Sequence, residues 1–491
     1  MRRQFSPSRL FIACLFLSFA VLPHVRAHGD HKADKAAPGN LIRSAKSGAW
    51  SMGSTWEGGK VPGAGARVQI REGHIVIYDV KSDAVIRFLH VAGTLSFATN
   101  KDTLLNVGLV RIQNGEMASE HGFDCDAHVD ARKPGTTQAA LQVGKASEPV
   151  DAKHTASIRL HYIEGTDKES WPAIVCCGGR MDLHGAPLNR TWVRLAAPAK
   201  AGDTEITLDE AVTGWKVGDR IIVTVTNHTY AKDGPTTEER LIKQIAGTKI
   251  TLTQPLAYAH LGGGDFRAEV ANLSRNVVIE SADPKGIRGH TMYHVGSAGS
   301  ISYAELRHLG KAGVLGRYSL HFHLCGDTMR GTSVIGASIW DSHNRWLTIH
   351  GTNYLVVRDC VGYKSLGHGF FLEDGTEVFN VLDRNLAVGA TRTKKLPKQV
   401  LPFDNNDGAG FWWANSLNTF TRNVAAENDN YGYRYEATPT SAVKLTMRVQ
   451  QPDGTKKLVD IRTLPFVRFE DNEVHSGTGL YGFNLGEGVN N

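Results

Sequence analysis

The sequence predicts an all-β protein whose larger part is a right-handed parallel β-helix. Three observations carry that prediction. No long stretch shows the 3.6-residue apolar period of an amphipathic helix. Short runs of β-forming residues recur, broken by Gly, Asn and Asp, as in "RVQIREGHIVIYDV", "DRIIVTVT" and "YLVVRDC". And "TIHGTNYLVVRDCVGY" can be laid over "FLEDGTEVFNVLDRNLAVG" about 24 residues on, the step from one coil of a solenoid to the next.

Taken in order, the chain of 491 residues opens on a basic "MRRQFSPSR", an apolar "LFIACLFLSFAVL" and "PHVRA". This is the pattern of a secretory signal peptide cut after Ala27, and its apolar run is short for a membrane span. No other segment has the length to cross a bilayer, so a secreted or periplasmic product is expected. Loss of Arg2, Arg3, Arg9 and Arg26 lowers the formal charge from +6 to +2, which points away from nucleic-acid binding. Five cysteines remain, Cys125, Cys176, Cys177, Cys325 and Cys360. An odd count leaves at least one free thiol unless a second chain pairs with it, with room for a disulfide.

Residues 28–47 read as a flexible leader, although His28 and His31 give it some capacity for copper or zinc. Residues 48–172 carry the first strand pairs, including "VIRFLHVAGTLSF" and "TLLNVGLVRIQNGEM". Residues 173–266, with "EITL", "DRIIVTVT" and "KITLTQPL", read as a β-rich region connecting to the solenoid and packed on it. The coils are expected over 267–491, each about 4.8 Å above the last. No polar cap follows "HSGTGLYGFNLGEGVNN", so a further segment or a partner is expected over the last coil.

Two stretches resemble known modules. "GAWSMGSTWEGGKVPGAGARVQIREGHIVIYDV", with Trp50, Trp56 and Val61-Pro62, resembles the opening of the G-eight (G8) domain, which places that domain at 48–172. "CGGRMDLHG", "GWKVGDRIIV", "LRHLGKAGVLGRYSLHFHLCGD", "HGTNYLVVRDCVGYKSLGHGFFLEDG" and "FWWAN" resemble, in the same order, the animal cell-surface and cell-migration-inducing hyaluronidase family. The resemblance implies a G8 domain joined to a pectate-lyase-like β-helix, degradation of hyaluronan or a related acidic polysaccharide, and a calcium requirement in some members. Ser319 stands where the family usually has proline, and Gly369 where it often has cysteine.

The ionisable residues between Arg317 and Glu377 suit such chemistry. A glycosidase needs a protonated acid and a carboxylate. A lyase needs a base and a cation for the uronate. His321 and His323 alternate onto one strand face. His350 lies one coil on, and Asp374 one further, so the three levels are expected to stack. Alternation puts His368 on the Asp374 face and Glu373 on the other. The catalytic candidates are therefore His321, His323, His350, His368 and Asp374, in preference to Glu373. Arg317 and Arg345 are candidates to hold a uronate. Trp412, Trp413 and Tyr433 are candidates to stack on sugar rings. Zinc would take three of the histidines plus water. Calcium would take oxygens from Asp327, Asp341 and Glu373. Against these stands a structural reading, in which histidines satisfy backbone groups at β-helix turns and the rings fill the core. Hydrolase, lyase and non-catalytic carbohydrate-binding or adhesion protein all stay open at this level.

Overall fold

The computed structural model describes residues 41–116, 120, 137–227, 236–441, 443–479 and 481–485. The proposed signal peptide, His28, His31 and Cys125 lie outside them. Among the described residues there is no α-helix, and no helix long and apolar enough to cross a membrane.

The chain is a parallel β-helix. One face is a continuous parallel ladder. It runs from Leu41–Arg43 through Arg67–Ile70, Lys81–Val91, Thr103–Ile112, Ala173–Cys176 and His290–Tyr293. It continues through Leu320–Gly326, Leu347–Thr352, Phe370–Leu372, Ala409–Trp413, Tyr431–Tyr435 and Tyr481–Asn484. A second ladder begins where Thr103–Val107 pairs with Ala156–Leu160 and ends at Glu473–His475. The third face is an eleven-stranded sheet from Gly48–Ala49 to Arg468–Glu470.

Coil stacking therefore starts at Leu41, not at residue 267. The early strands belong to the same ladder because their apolar residues, such as Val68, Leu89 and Val110, are buried in one core with Phe322 and Ile349. The 173–266 segment is of two kinds. Ala173–Cys176 and Arg180–His184 are coil strands, whereas Trp192–Asn272 forms an inserted six-stranded antiparallel sheet. Trp192, Ile222 and Ala271 of that sheet lie in one buried cluster with Trp340, Tyr363 and Val388 of the coils.

Inside the coils, side chains of equal register stack. Leu320, Leu347, Phe370, Phe411, Tyr433 and Phe483 succeed one another along the ladder. The Phe411 and Tyr433 rings lie 4.8 Å apart, nearly parallel. The corners turn through left-handed residues at matching positions, Asp359, Arg384, Arg422 and Asp471. Each is followed by Cys360 or by one of Asn385, Asn423 and Asn472. The Asn385, Asn423 and Asn472 side chains accept the backbone N–H of the coil before. The asparagine ladder thus serves the backbone at one corner, apart from the histidines. Cys176, Cys325 and Cys360 are buried free thiols, and Cys177 is disulfide-bonded.

Candidate functional site

The outward register of the first ladder carries the candidate chemistry. In Leu320–Gly326 the alternation turns Leu320 and Phe322 into the core and leaves His321 and His323 on the outer face. His323 pairs in register with His350, and their ring centroids are 4.8 Å apart. His321 and His350 lie nearly parallel at 6.1 Å, and His294 packs 4.6 Å from His323.

The carboxylates arrive one coil later. In Phe370–Leu372 the alternation turns Phe370 and Leu372 into the core and leaves Phe371 in register with Thr348 and, one coil earlier, His321. Glu373 follows two residues on, with its N–H bonded to the Ile349 carbonyl. Glu373 consequently lies on the histidine face, which the sequence expectation gives to Asp374; alternation holds, and it is the outward parity of this strand that differs. Its Oε2 lies 3.3 Å from His350 Nδ1 and 3.6 Å from His321 Nε2. Asp374 Oδ2 lies 3.5 Å from His350 Nε2. His323, His350 and Asp374 are partly exposed, while His321 and Glu373 lie buried beneath them.

The lower layer is tied by hydrogen bonds. Tyr318 Oη donates to Glu373 Oε1 at 2.7 Å, and Arg345 Nη1 donates to Tyr318 Oη at 2.9 Å. Arg345 Nη2 donates to Asp404 Oδ2 at 2.6 Å, and its guanidinium lies 3.6 Å from the Phe371 ring centroid. His368 accepts the Ala409 N–H at Nδ1 and donates from Nε2 to Asp404 Oδ1 at 2.9 Å. Glu377 is fully buried and accepts from the backbone N–H groups of Gly351, Asp374 and Gly375.

The electrostatics follow. Burial lowers an imidazole pKa, but Glu373 and Asp374 outweigh it and lift His350 to about 9. Burial raises Glu373, but His350, His321 and Arg345 outweigh it and hold Glu373 at about 2. His350 and the neighbouring hydrogen bonds hold Asp374 below the usual carboxylate range despite burial. Burial and the Asp374 charge push Glu377 upward. Burial and the neighbouring imidazoles push His323 well below the ordinary value.

Of the sequence candidates, His321, His323, His350 and Asp374 converge, and Glu373 joins them. His368 does not join them. It is buried between Phe371 and Trp412 with Asp404 as its partner. Neither arginine is presented to a ligand. Arg345 is fully buried between Glu373 and Asp404, and Arg317 is buried with its Nε donating to the Glu169 carbonyl. The aromatic candidates are buried too. Trp413 and Tyr433 point into the core against Phe420 and Phe411. Trp412 faces outward in register, but Phe403 of the 392–408 insertion packs over it.

The oxygen set proposed for calcium does not assemble. Asp327 accepts from Asn353 and Gln450, Asp341 accepts from Arg288 and His308, and Glu373 lies with the histidines. Among the described residues, the group of three or more His, Cys, Asp or Glu able to converge on an ion is His321, His350 and Glu373.

Tyr318, Asp404, Glu377 and His294 were not singled out from the sequence. Tyr318 adjoins the histidine motif and was open to notice. Asp404 lies in an insertion, and no local pattern joins it to Arg345.

Comparison with known proteins agrees with this architecture. Residues 286–480 match the family model described as CEMIP beta-helix, and residues 55–196 match the G8 domain. The chain is 31% identical over 485 residues to Fibrocystin-L of Mus musculus and 31% identical over 486 residues to that of Homo sapiens. Each alignment covers 87% of this chain and 10% of the relative, so the chain spans about a tenth of their length. A G8 domain-containing protein of Dictyostelium discoideum is 35% identical over 217 residues, 43% of this chain and 14% of that protein. Among solved structures, the tailspike gp61 of Pseudomonas phage phi297 aligns over 83% of this chain and 55% of its own, with 11% identity and a TM-score of 0.21. The chain thus carries a stretch that matches the G8 domain followed by a stretch that matches the CEMIP beta-helix.

Proposed function

We propose that this chain is an exported enzyme that cleaves an extracellular acidic polysaccharide, hyaluronan first among the candidates, by hydrolysis. The observation that carries the reading is the convergence of three imidazoles and two carboxylates on three successive coils, opening to the surface at His323, His350 and Asp374. Such a rim can move a proton to a glycosidic oxygen and hold a carboxylate beside the bond, which is what glycoside hydrolysis requires. The family resemblance supplies the substrate class. Arg345 is committed to Glu373 and Asp404, so the cations for a polyanion come from elsewhere. Exposed Arg392, Lys394, Lys395 and Lys398 on the 392–408 insertion are the candidates, because that insertion also supplies Asp404 and Phe403 to the site's floor.

The test is incubation of the purified chain with hyaluronan and related glycosaminoglycans. Shortened chains without ultraviolet-absorbing unsaturated ends are expected; such ends would identify a lyase. Binding without shortening would leave an adhesion protein. His350→Ala and Asp374→Asn are expected to lose activity by about 10²-fold or more. Full cleavage by either variant would remove the rim from the reaction. Export is tested by the amino terminus of the secreted product, expected at His28.

A further inference from the structure

We infer that His321, His350 and Glu373 form a binding site for a divalent transition-type cation, zinc first. This deepens the proposed function, since it concerns the same site, but it stands on separate observations.

The first observation is spacing. Glu373 Oε2 lies 3.3 Å from His350 Nδ1 and 3.6 Å from His321 Nε2, too far for good hydrogen bonds between buried groups. Two donors bound at about 2.0–2.1 Å to one tetrahedral ion stand about 3.3–3.4 Å apart. Glu373 Oε2 therefore stands from each of the two nitrogens at about the separation of co-ligands. All three donor atoms lie within 4.8 Å of one another.

The second observation is that His321 and Glu373 face each other with atoms that hydrogen bonding does not satisfy. His321 Nδ1 donates to the Gly316 carbonyl at 3.0 Å, and a carbonyl can only accept. In neutral His321 the lone pair is therefore on Nε2, aimed at a carboxylate oxygen. His321 Nε2 and Glu373 Oε2 are both buried and have no hydrogen-bond partner. Arg345 and Tyr318 serve the other oxygen, Oε1. Two facing acceptors in a buried site are held together by a cation or a proton between them. Thr348, the register partner of His321 on the next coil, adds a third buried polar atom without a partner.

The third observation is the layer around the donors. Gly316 orients His321, Asp374 faces the second nitrogen of His350, and Tyr318 and Arg345 fix Glu373. Carboxylate–histidine and carbonyl–histidine support of this kind accompanies metal-ligating imidazoles. Two nitrogens and one oxygen suit zinc or a neighbouring transition ion and leave a coordination position open. They do not suit calcium, which takes oxygen donors throughout.

The experiment uses the untagged full chain, stripped with a chelator, desalted and titrated with Zn²⁺, Co²⁺ and Ca²⁺ without polysaccharide. Zn²⁺ is expected to be retained at an equivalent that Glu373→Gln weakens at least tenfold, and Co²⁺ to give the intense visible absorption of a tetrahedral site. His350→Gln, on the partly exposed rim, makes the same test should Glu373→Gln fail to fold. Asp327→Asn, from the oxygen set, is expected to retain the ion. A folded wild-type chain with no Zn²⁺ equivalent sensitive to either substitution would overturn the site, as would stabilisation by Ca²⁺ alone. An ion held without cleavage of hyaluronan would overturn only the proposed function.

Discussion

Gly369 shows how closely single residues are matched here. A Cβ built on it would lie 2.3 Å from the Trp346 ring and 2.6 Å from the Gly410 carbonyl. Gly362 meets the same ring at 2.3 Å. Fully buried Trp346 therefore occupies space that two glycines leave open. Cysteine, frequent at the Gly369 position in the family this chain resembles, would need that ring to move. Gly369→Ala is expected to destabilise the fold by about 1–3 kcal/mol through overpacking. A urea midpoint unchanged from wild type would refute the steric account. A smaller residue at Trp346 in the same chain should recover part of the loss. Arg345 is matched as closely, because its fork reaches Glu373, Tyr318 and Asp404 at once. A lysine cannot make those three contacts together.

Between elements, the contact with a titratable signature joins the inserted antiparallel sheet to a late coil. His475 Nε2, on Glu473–His475, lies 2.9 Å from Glu269 Oε2, on Glu269–Asn272, with both side chains buried. Burial would lower His475, but the Glu269 charge outweighs it and raises the pKa above 6.5. Burial would raise Glu269, but His475 outweighs it and lowers the pKa below 4.5. The raised histidine contributes stability that is complete below 6.5 and lost as pH rises through its folded value. The lowered glutamate contributes stability present above 4.5 and lost as pH falls through its folded value. The pair should therefore stabilise most between those two values. Glu269→Gln is expected to cost about 3–5 kcal/mol in that window and less outside it. Denaturant titrations at several pH values would show this; a difference independent of pH would exclude the ion pair as its source.

Across the whole molecule, a solenoid tends to unfold as a sum of neighbouring repeats. The inserted sheet changes that expectation. It binds coils that are distant along the stack, through Trp192 to the Arg384 carbonyl, Glu239 to Tyr363 and Lys364, and Glu269 to His475. The coils so clasped are expected to unfold in a single transition, with tryptophan fluorescence and far-ultraviolet circular dichroism coinciding in urea. Glu269→Gln should pull the two curves apart. Separate transitions already in the wild type would show that the sheet does not couple the coils.

The all-β class, the coil step and the shared face of His321 and His323 were legible in the sequence, because they depend on periods of two residues and of one coil. The pairing of His323 with His350 was legible for the same reason, but the residue level with them on the next coil is Glu373, with Asp374 beside it. Glu373 was not legible, since alternation alone does not say which parity of Phe370–Leu372 faces outward, and the register of that strand on Leu347–Thr352 decides it. Nor was the burial of Trp412, Trp413, Tyr433 and Arg345, which depends on what covers each residue and not on its type. The 392–408 insertion brings Asp404 to Arg345 and His368 from a distance no local pattern spans. The sequence by itself determined the repeat and the alternation within each strand, because backbone geometry makes both periodic. Only the tertiary structure decided which outward groups meet and which are covered, because turns and insertions obey no period.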